Sequence, residues 1–224
     1  MDLTGIDLLG IERVLKRGTG EVIERHDDAL LVRDSVSGAY MLGCEDPALG
    51  AAILQRNASG DCRLLMVSDH DLGRATFARY GFDALLECRQ TAYYGAAPEP
   101  VGCLALRSAS EADLPILTAT YDLLSAEELR LIVARGKLTL GYAGGRLAGF
   151  AGEHLEGSMG LLYVFPEFRR KGYAMELEKA VISQTLKEGY TPFGQVEKSN
   201  RASLALQRKL GMTISDRLIC WMWR

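Results

Sequence analysis

Apolar residues recur along this chain in two rhythms, one of two residues and one of between three and four, and the switches between them lay out a series of short elements. Residues of about 2–17 read as an opening helix. "GEVIERHD", "ALLVRDSV" and "GAYMLGCE" follow, split by Asp-Asp and Ser-Gly turn signals, and predict a three-stranded meander. "DPALGAAILQRN" places Asp46 as a cap and Pro47 at the first helical position, so it predicts a helix. "RLLMVSD" reads as a buried strand, "DLGRATFARYGF" as a helix stopped by Gly81, and "LLECRQTAYYG" as a strand. The Pro/Gly-rich connector "AAPEPVG", residues 96–102, is the natural boundary between a half at 1–95 and a half at 103–224.

Beyond the connector, "CLALRSASEADLPILTATYD" predicts a strand and a helix, with Ser110 and Asp113 at capping-box spacing. "SAEELRLIVARG" is a second helix stopped by Gly136, and "LTLGYAGGRLAGFAGEH" a hairpin turning at Gly144-Gly145. "SMGLLYVFP" is a strand stopped by Pro166. The helix of about 172–187 sets Tyr173, Leu177, Ala180 and Val181 on one face. "TPFGQVEKS" is a strand, "NRASLALQRKLG" a helix from Asn200 to Gly211, and "RLICWMW" a last strand. Tyr93 lies twelve residues after Gly81 and Trp223 twelve after Gly211, a spacing that fits a duplicated unit and equally any helix-Gly-strand corner.

Composition narrows the function classes. The 224 residues, 48% hydrophobic and 25% charged, suit a globular protein with a sizeable core. A net charge of −3 argues against a general nucleic-acid binder, so any anion site must be local. No apolar run reaches the roughly 18 residues of a membrane span, the N-terminus has no signal-peptide core, and cytoplasmic is the expected location. Cys44, Cys62, Cys88, Cys103 and Cys220 are scattered without a C-x-x-C pair, and His26, His70 and His154 show no metal spacing. No metal is expected. "DHD" at 69–71 reads as a loop and cap, and Ser203 lies outside any G-x-S-x-G hydrolase pattern.

Against that background, "VFPEFRRKGYAMELEKA" at 164–180 is anomalous. Arg169, Arg170 and Lys171 stand at the end of a helix that is already electropositive, and they need an anion between them. Free N–H groups at a helix start form an anion cradle, and Gly172 leaves room for a phosphate to approach. A P-loop would need G-x-x-x-x-G-K-[ST], which is absent.

The constellation is wider than this loop. A strand ending in Val-x-Pro precedes Arg169-x-x-Gly172-x-Ala174, and Val196-x3-Asn200-x2-Ser203-x2-Leu206 comes about 25 residues later. Residues 103–224 thus resemble the GNAT superfamily of N-acyltransferases, whose signature is Q/R-x-x-G-x-G/A, and in particular its glycine N-acyltransferase-like branch, in which a degenerate half precedes the working one. The resemblance implies an α/β (α+β) fold, a mixed, mostly antiparallel sheet flanked by helices. It also implies that acetyl-CoA or another acyl-CoA is the co-substrate. The pyrophosphate would lie on the amides of Lys171, Gly172, Tyr173 and Ala174, with Arg169 or Arg170 adding a charge-assisted contact. Leu162 and Val164 would offer backbone partners to pantetheine on a sheet edge where two strands splay apart. Asn200 and Ser203 would add cofactor contacts, Asn200 serving equally as a plain helix cap. The acceptor implied is a small-molecule amine or amino acid, for a monomer or homodimer without nucleic-acid or membrane partners.

Transfer requires a neutral amine, a donor for the oxyanion and departure of a thiolate. Glu153 and Glu197 are the candidate bases, with His154 beside Glu153 on the opposite face of a regular strand. The Val164 N–H is the expected oxyanion donor by position. Gln207 stands where many relatives carry a tyrosine acid, which leaves Tyr163 and Tyr173 as substitutes. A thiol with a pKa of about 8.5 leaves with little help, so an acid is dispensable. The first half has Glu45, Asp46 and Pro47 where a phosphate would sit and reads as a structural or acceptor-shaping half. A protein or peptide N-acetyltransferase and a silent acyl-CoA-binding module are the competing readings.

Overall fold

Local signals fix most element ends in the computed structural model, which describes residues 2–58 and 60–224. A tight turn at Ile6–Leu8 leads into α1 (Leu9–Lys16), followed by β1 (Gly20–Arg25), β2 (Ala29–Asp34), β3 (Tyr40–Cys44), α2 (Pro47–Asn57), β4 (Leu64–Val67), α3 (His70–Tyr80) and β5 (Ala84–Ala92). Next come β6 (Ala105–Ser108), α4 (Leu114–Thr120), α5 (Ala126–Ala134), β7 (Leu138–Ala143), β8 (Arg146–Glu153), β9 (Met159–Val164) and α6 (Tyr173–Lys187). The chain closes with β10 (Phe193–Glu197), α7 (Arg201–Lys209) and β11 (Thr213–Trp223).

The predicted caps hold. Asp46 accepts from the Ala48 and Leu49 amides with Pro47 at the first position, and Ser110 and Asp113 form a reciprocal box. Asp69 of "DHD" caps α3 through the Leu72 amide. Two predicted ends move. The opening helix starts at Leu9 because Asp2 accepts from the Thr4 amide and hydroxyl and bends the first residues into a turn. β11 starts at Thr213, not Arg217, because a bulge between Ile214 and Leu218 keeps the pairing going. Ser215 holds that bulge, accepting from the Gln90 amide and donating to the Arg217 carbonyl.

The fold is mixed α/β, with mostly antiparallel open sheet flanked by helices, as predicted. It divides into two compact units, one running to Ala92 and resuming at Gln195–Arg224, the other Tyr93–Gly194. The sequence reading divides the chain into halves at 1–95 and 103–224; by compactness, 195–224 lies with the first unit. The reason is register: β11 pairs antiparallel with β5 from Thr213↔Ala92 to Trp223↔Ala84, and with β4 from Cys220↔Val67 to Trp223↔Leu64.

In the first unit the strands run β1-β2-β3-β4-β11-β5. Side-chain alternation divides its core between two sheet faces. Leu31, Leu42 and Leu65 pack with Ile53 and Leu54 of α2, while Leu30, Val32 and Met41 pack with Ile11 and Val14 of α1. The second unit has the antiparallel order β9-β8-β7-β6, with β7 and β8 joined through Gly144 and Gly145 at φ 56° and 77°. α6 lays buried Leu177, Val181 and Ile182 on this sheet. Its Glu176 carboxylate accepts the amides of Gly102, Cys103 and Leu104 at 2.9–3.1 Å, which pins the end of the predicted linker.

Candidate active site

Pro166 ends β9 and opens one tight turn, after which the backbone of the basic loop enters left-handed space twice. Arg170 has φ 63° and Gly172 φ 84°, the latter at the N-cap of α6 with no side chain capping the helix. The first helical bonds go from the Met175 and Glu176 amides to the Gly172 carbonyl. Among the described residues, the amides of Lys171, Gly172, Tyr173 and Ala174 carry no bond to protein. A Cβ on Gly172 would meet no atom within 4 Å, so the position is open there and the glycine is demanded by its φ. Successive left-handed and helical residues with inward N–H groups make a concavity suited to an anion.

The three cations do different things. Arg169 turns back to the strand, its Nε donating to the Val164 carbonyl at 3.0 Å and its guanidinium lying 5.9 Å from the Tyr163 ring. Lys171 and Arg146 both contact the Phe168 ring, at 5.5 and 5.0 Å, and Arg146 pairs with Glu167. Arg170 is exposed.

Next to this loop β9 has a partly unpaired edge. The Phe165 amide donates to Ala148 at 3.0 Å, and Val164 pairs with Gly149. By antiparallel alternation the Val164 N–H and C=O therefore point away from β8. On that side β10 pairs with β9 at a single position, Gly194 opposite Met159, so Gly160–Val164 have no strand pairing there among the described residues. The Val164 carbonyl is already taken by Arg169, which leaves its amide as the group available. Within β9, Leu161 adopts φ 49° where the register to β8 shifts between Phe150 and Gly152. Such a conformation costs a non-glycine residue about 1–3 kcal/mol and persists only where neighbours enforce it.

The neighbours here are aromatic. Tyr163 stacks on Phe150 at 5.6 Å and meets Phe165 edge-on at 5.2 Å, while Tyr121, at the end of α4, meets Phe150 edge-on at 6.1 Å. Neither Tyr121 nor the Leu161 kink was anticipated. Leucine gives no signal for positive φ, and Tyr121 shares no spacing with the loop.

The candidate bases are placed less favourably than predicted. Glu153 is 4% exposed. It accepts from the Thr185 hydroxyl and pairs with Lys137 at 3.2 Å, and Lys137 also pairs with Glu188. Thr185 is roughly 20 Å along α6 from Gly172 at 1.5 Å per residue, so Glu153 belongs to an internal polar cluster at the other end of the helix. His154 lays its ring over Gly160. Glu197 accepts from the Ser199 amide at 3.0 Å and hydroxyl at 2.5 Å, and these bonds, the hydroxyl's first, hold its carboxyl below the usual range, which weakens it as a base. Asn200 accepts the Ser203 amide at 3.0 Å, the cap role.

Leu162, Tyr163, Val164 and 169–174 thus come together in the second unit, whereas Glu197, Asn200 and Ser203 lie in the first. Among the described residues no cluster of His, Cys, Asp and Glu could hold a metal, and no helix is long and apolar enough to cross a membrane.

A sequence-family profile described as FR47-like protein matches residues 140–222, which include this corner. Solved structures share the fold along nearly the whole chain. A Drosophila protein is similar with a TM-score of 0.72 at 16% identity, over 99% of this chain and 91% of its own. A GCN5-related N-acetyltransferase from Kribbella flavida matches at 0.62 and 11% identity, over 97% and 93%. A GNAT-family acetyltransferase from Colwellia psychrerythraea matches at 0.54 and 16% identity, over 92% and 84%. At such identities the likeness is one of fold. No curated protein sequence matches the chain.

Proposed function

We propose that the protein is an acyl-CoA-dependent N-acyltransferase of the GNAT superfamily, moving an acetyl or other short acyl group to a primary amine of a small molecule or amino acid. The observation that carries this reading is the β9–α6 corner. Four adjacent amides without protein partners flank the open position of Gly172, beside a strand edge paired to its parallel neighbour at one position only. An extended thiol-bearing cofactor with a diphosphate has the matching shape: anion on the amides, amide-rich arm along the strand. The FR47-like match over 140–222 and the shared fold support the same assignment.

The acyl-CoA supplies the activated acyl group as co-substrate. In a ternary complex the neutral amine attacks the thioester carbonyl, the C–N bond forms, and the C–S bond breaks to release a thiolate, a fair leaving group because thiols are weakly acidic (a free cysteine ionises near a pKa of about 8.5). The Lys171–Ala174 amides and Arg170 hold the diphosphate, Arg169 fixes the loop to the end of β9, and the Val164 amide orients the pantetheine. The amine gives its proton to water, because Glu153 is consumed in its ion pair and Glu197 is a weakened base.

Those same two carboxylates, together with Gln207 in place of a tyrosine acid, favour one other reading, a silent acyl-CoA-binding module. Incubation with acetyl-CoA and a panel of amines (glycine, lysine, benzylamine), with free thiol monitored, separates the two. Amine-dependent thiol release supports the transferase; tight binding with no release supports the module.

A further inference from the structure

We infer that the groove between α6, β6 and the Pro-rich connector is a docking site for an extended acidic peptide of another protein, added antiparallel to the open edge of β6 with the pattern acidic-x-apolar-x-acidic. The connector that marks a boundary in the sequence is here a fixed wall. Glu176 accepts the amides of Gly102, Cys103 and Leu104, and Lys179 donates to the Glu99 carbonyl at 3.1 Å. These ties leave a cavity of about 350 Å³, whose apolar lining is Pro98, Pro100, Leu106 and Ala180. Leu106 is 41% exposed although it lies on the sheet face that α6 covers, since Leu106 and Leu177 both border Gly141.

The backbone calls for a strand. β6 ends the sheet order of this unit and has β7 as its one strand neighbour among the described residues. The Ala109 amide donates to the Leu138 carbonyl across that pair, so by alternation the N–H and C=O of Leu106 point away from β7. Among the described residues no protein group takes them. Charge calls for acids. On a chain of net charge −3, the charged side chains of this lining are Lys179, Lys187 and Glu176. Glu176 is buried and its carboxylate is occupied by three amides. Lys187 has no protein partner among the described residues, and Lys179 uses one of its three donors. The eight residues from Lys179 to Lys187 span about 12 Å of helix. In an extended chain, residues i and i+4 lie about 13 Å apart on the same face. Carboxylates at those two places meet the two lysines. The residue midway sits opposite Leu106, turns its N–H to β6 and lays its side chain on Leu106, Ala180 and the prolines. Strand addition of this kind draws affinity from main-chain bonds and specificity from alternate side chains.

The test is fluorescence anisotropy of the full chain with a labelled, end-blocked peptide, Ser-Glu-Thr-Leu-Thr-Glu-Ser. Saturable binding is expected, and Lys187→Glu should weaken it about tenfold. Two altered peptides on the wild-type chain carry the test even if that variant folds poorly. Lysine in place of both glutamates should weaken binding by about tenfold or more. Methylation of the leucine nitrogen removes one main-chain donor and keeps every charge, and should weaken binding about fivefold. Affinity that ignores the methyl group means an anion resting on lysines and overturns the added strand. No saturable binding, or binding indifferent to both charge changes, overturns the site. Sedimentation of the chain alone supplies the last outcome: a dimer that Lys187→Glu dissociates gives the groove to a second copy and overturns the peptide. None of these outcomes bears on the acyl-CoA reading.

Discussion

The β3–α2 corner of the first unit and the β9–α6 corner of the second share a plan, strand then short loop then helix, and are finished in opposite ways. At the first, β3 runs parallel to β4 through Tyr40↔Leu65, Met41↔Met66 and Leu42↔Val67, and the Cys44 amide beyond is taken by the Ser68 hydroxyl at 3.1 Å. Asp46 fills the start of α2, accepting from Ala48 at 2.9 Å, and Pro47 removes another donor. At the second, the parallel neighbour is joined at one position, the helix cap is a glycine at φ 84°, and four amides are left over. A binding corner here is made by omission. Where capping carboxylate, proline and paired strand are present, the same backbone plan has nothing to offer an anion.

That contrast can be broken by mutation. The largest effect is expected from Gly172→Asp, which forces a side chain into left-handed space and sets a carboxylate over the amides. CoA affinity should fall about 100-fold or more in calorimetry while the circular dichroism stays native. Arg169→Ala removes the tie between loop and strand and one positive charge, so affinity should fall about tenfold, with a shallower dependence on salt. Asp46→Ala probes the sealed corner: urea unfolding should show a loss of about 1 kcal/mol from the missing cap, with CoA affinity untouched. The smallest change is chemical. Burial, with a smaller contribution from Asp69, pushes the Cys44 thiol up to about 11, so it stays protonated at pH 8 and gains thiolate only as the pH climbs toward that value. Cys103 is exposed. Iodoacetamide at pH 8 should therefore label Cys103 first and spare Cys44 in peptide mass spectra.

Much of this was legible in the sequence because it depends on local chemistry. Asp46-Pro47, Ser110 with Asp113, Gly144-Gly145 and the run from Pro166 to Ala174 each encode a turn or cap that neighbours of a few residues decide. What stayed hidden depends on distant partners. The burial of Glu153 follows from Thr185 and Lys137, thirty-two and sixteen residues away in sequence, and no pattern around "GEH" records it. The weakening of Glu197 is set by Ser199, which was in view, but its sign becomes clear only once the turn geometry is known. The placing of 195–224 with the first unit is a matter of β11 finding a slot between β4 and β5, and hydrophobic alternation is silent on which slot. The Leu161 kink belongs to the same class.

The most direct measurement is an amide NMR titration of the whole chain with CoA. The account predicts that the amides of Lys171, Gly172, Tyr173 and Ala174 shift first and furthest, together with Val164, while Ala48 and Leu49 at the sealed corner do not move. Saturation with CoA that leaves the 171–174 amides in place would contradict it.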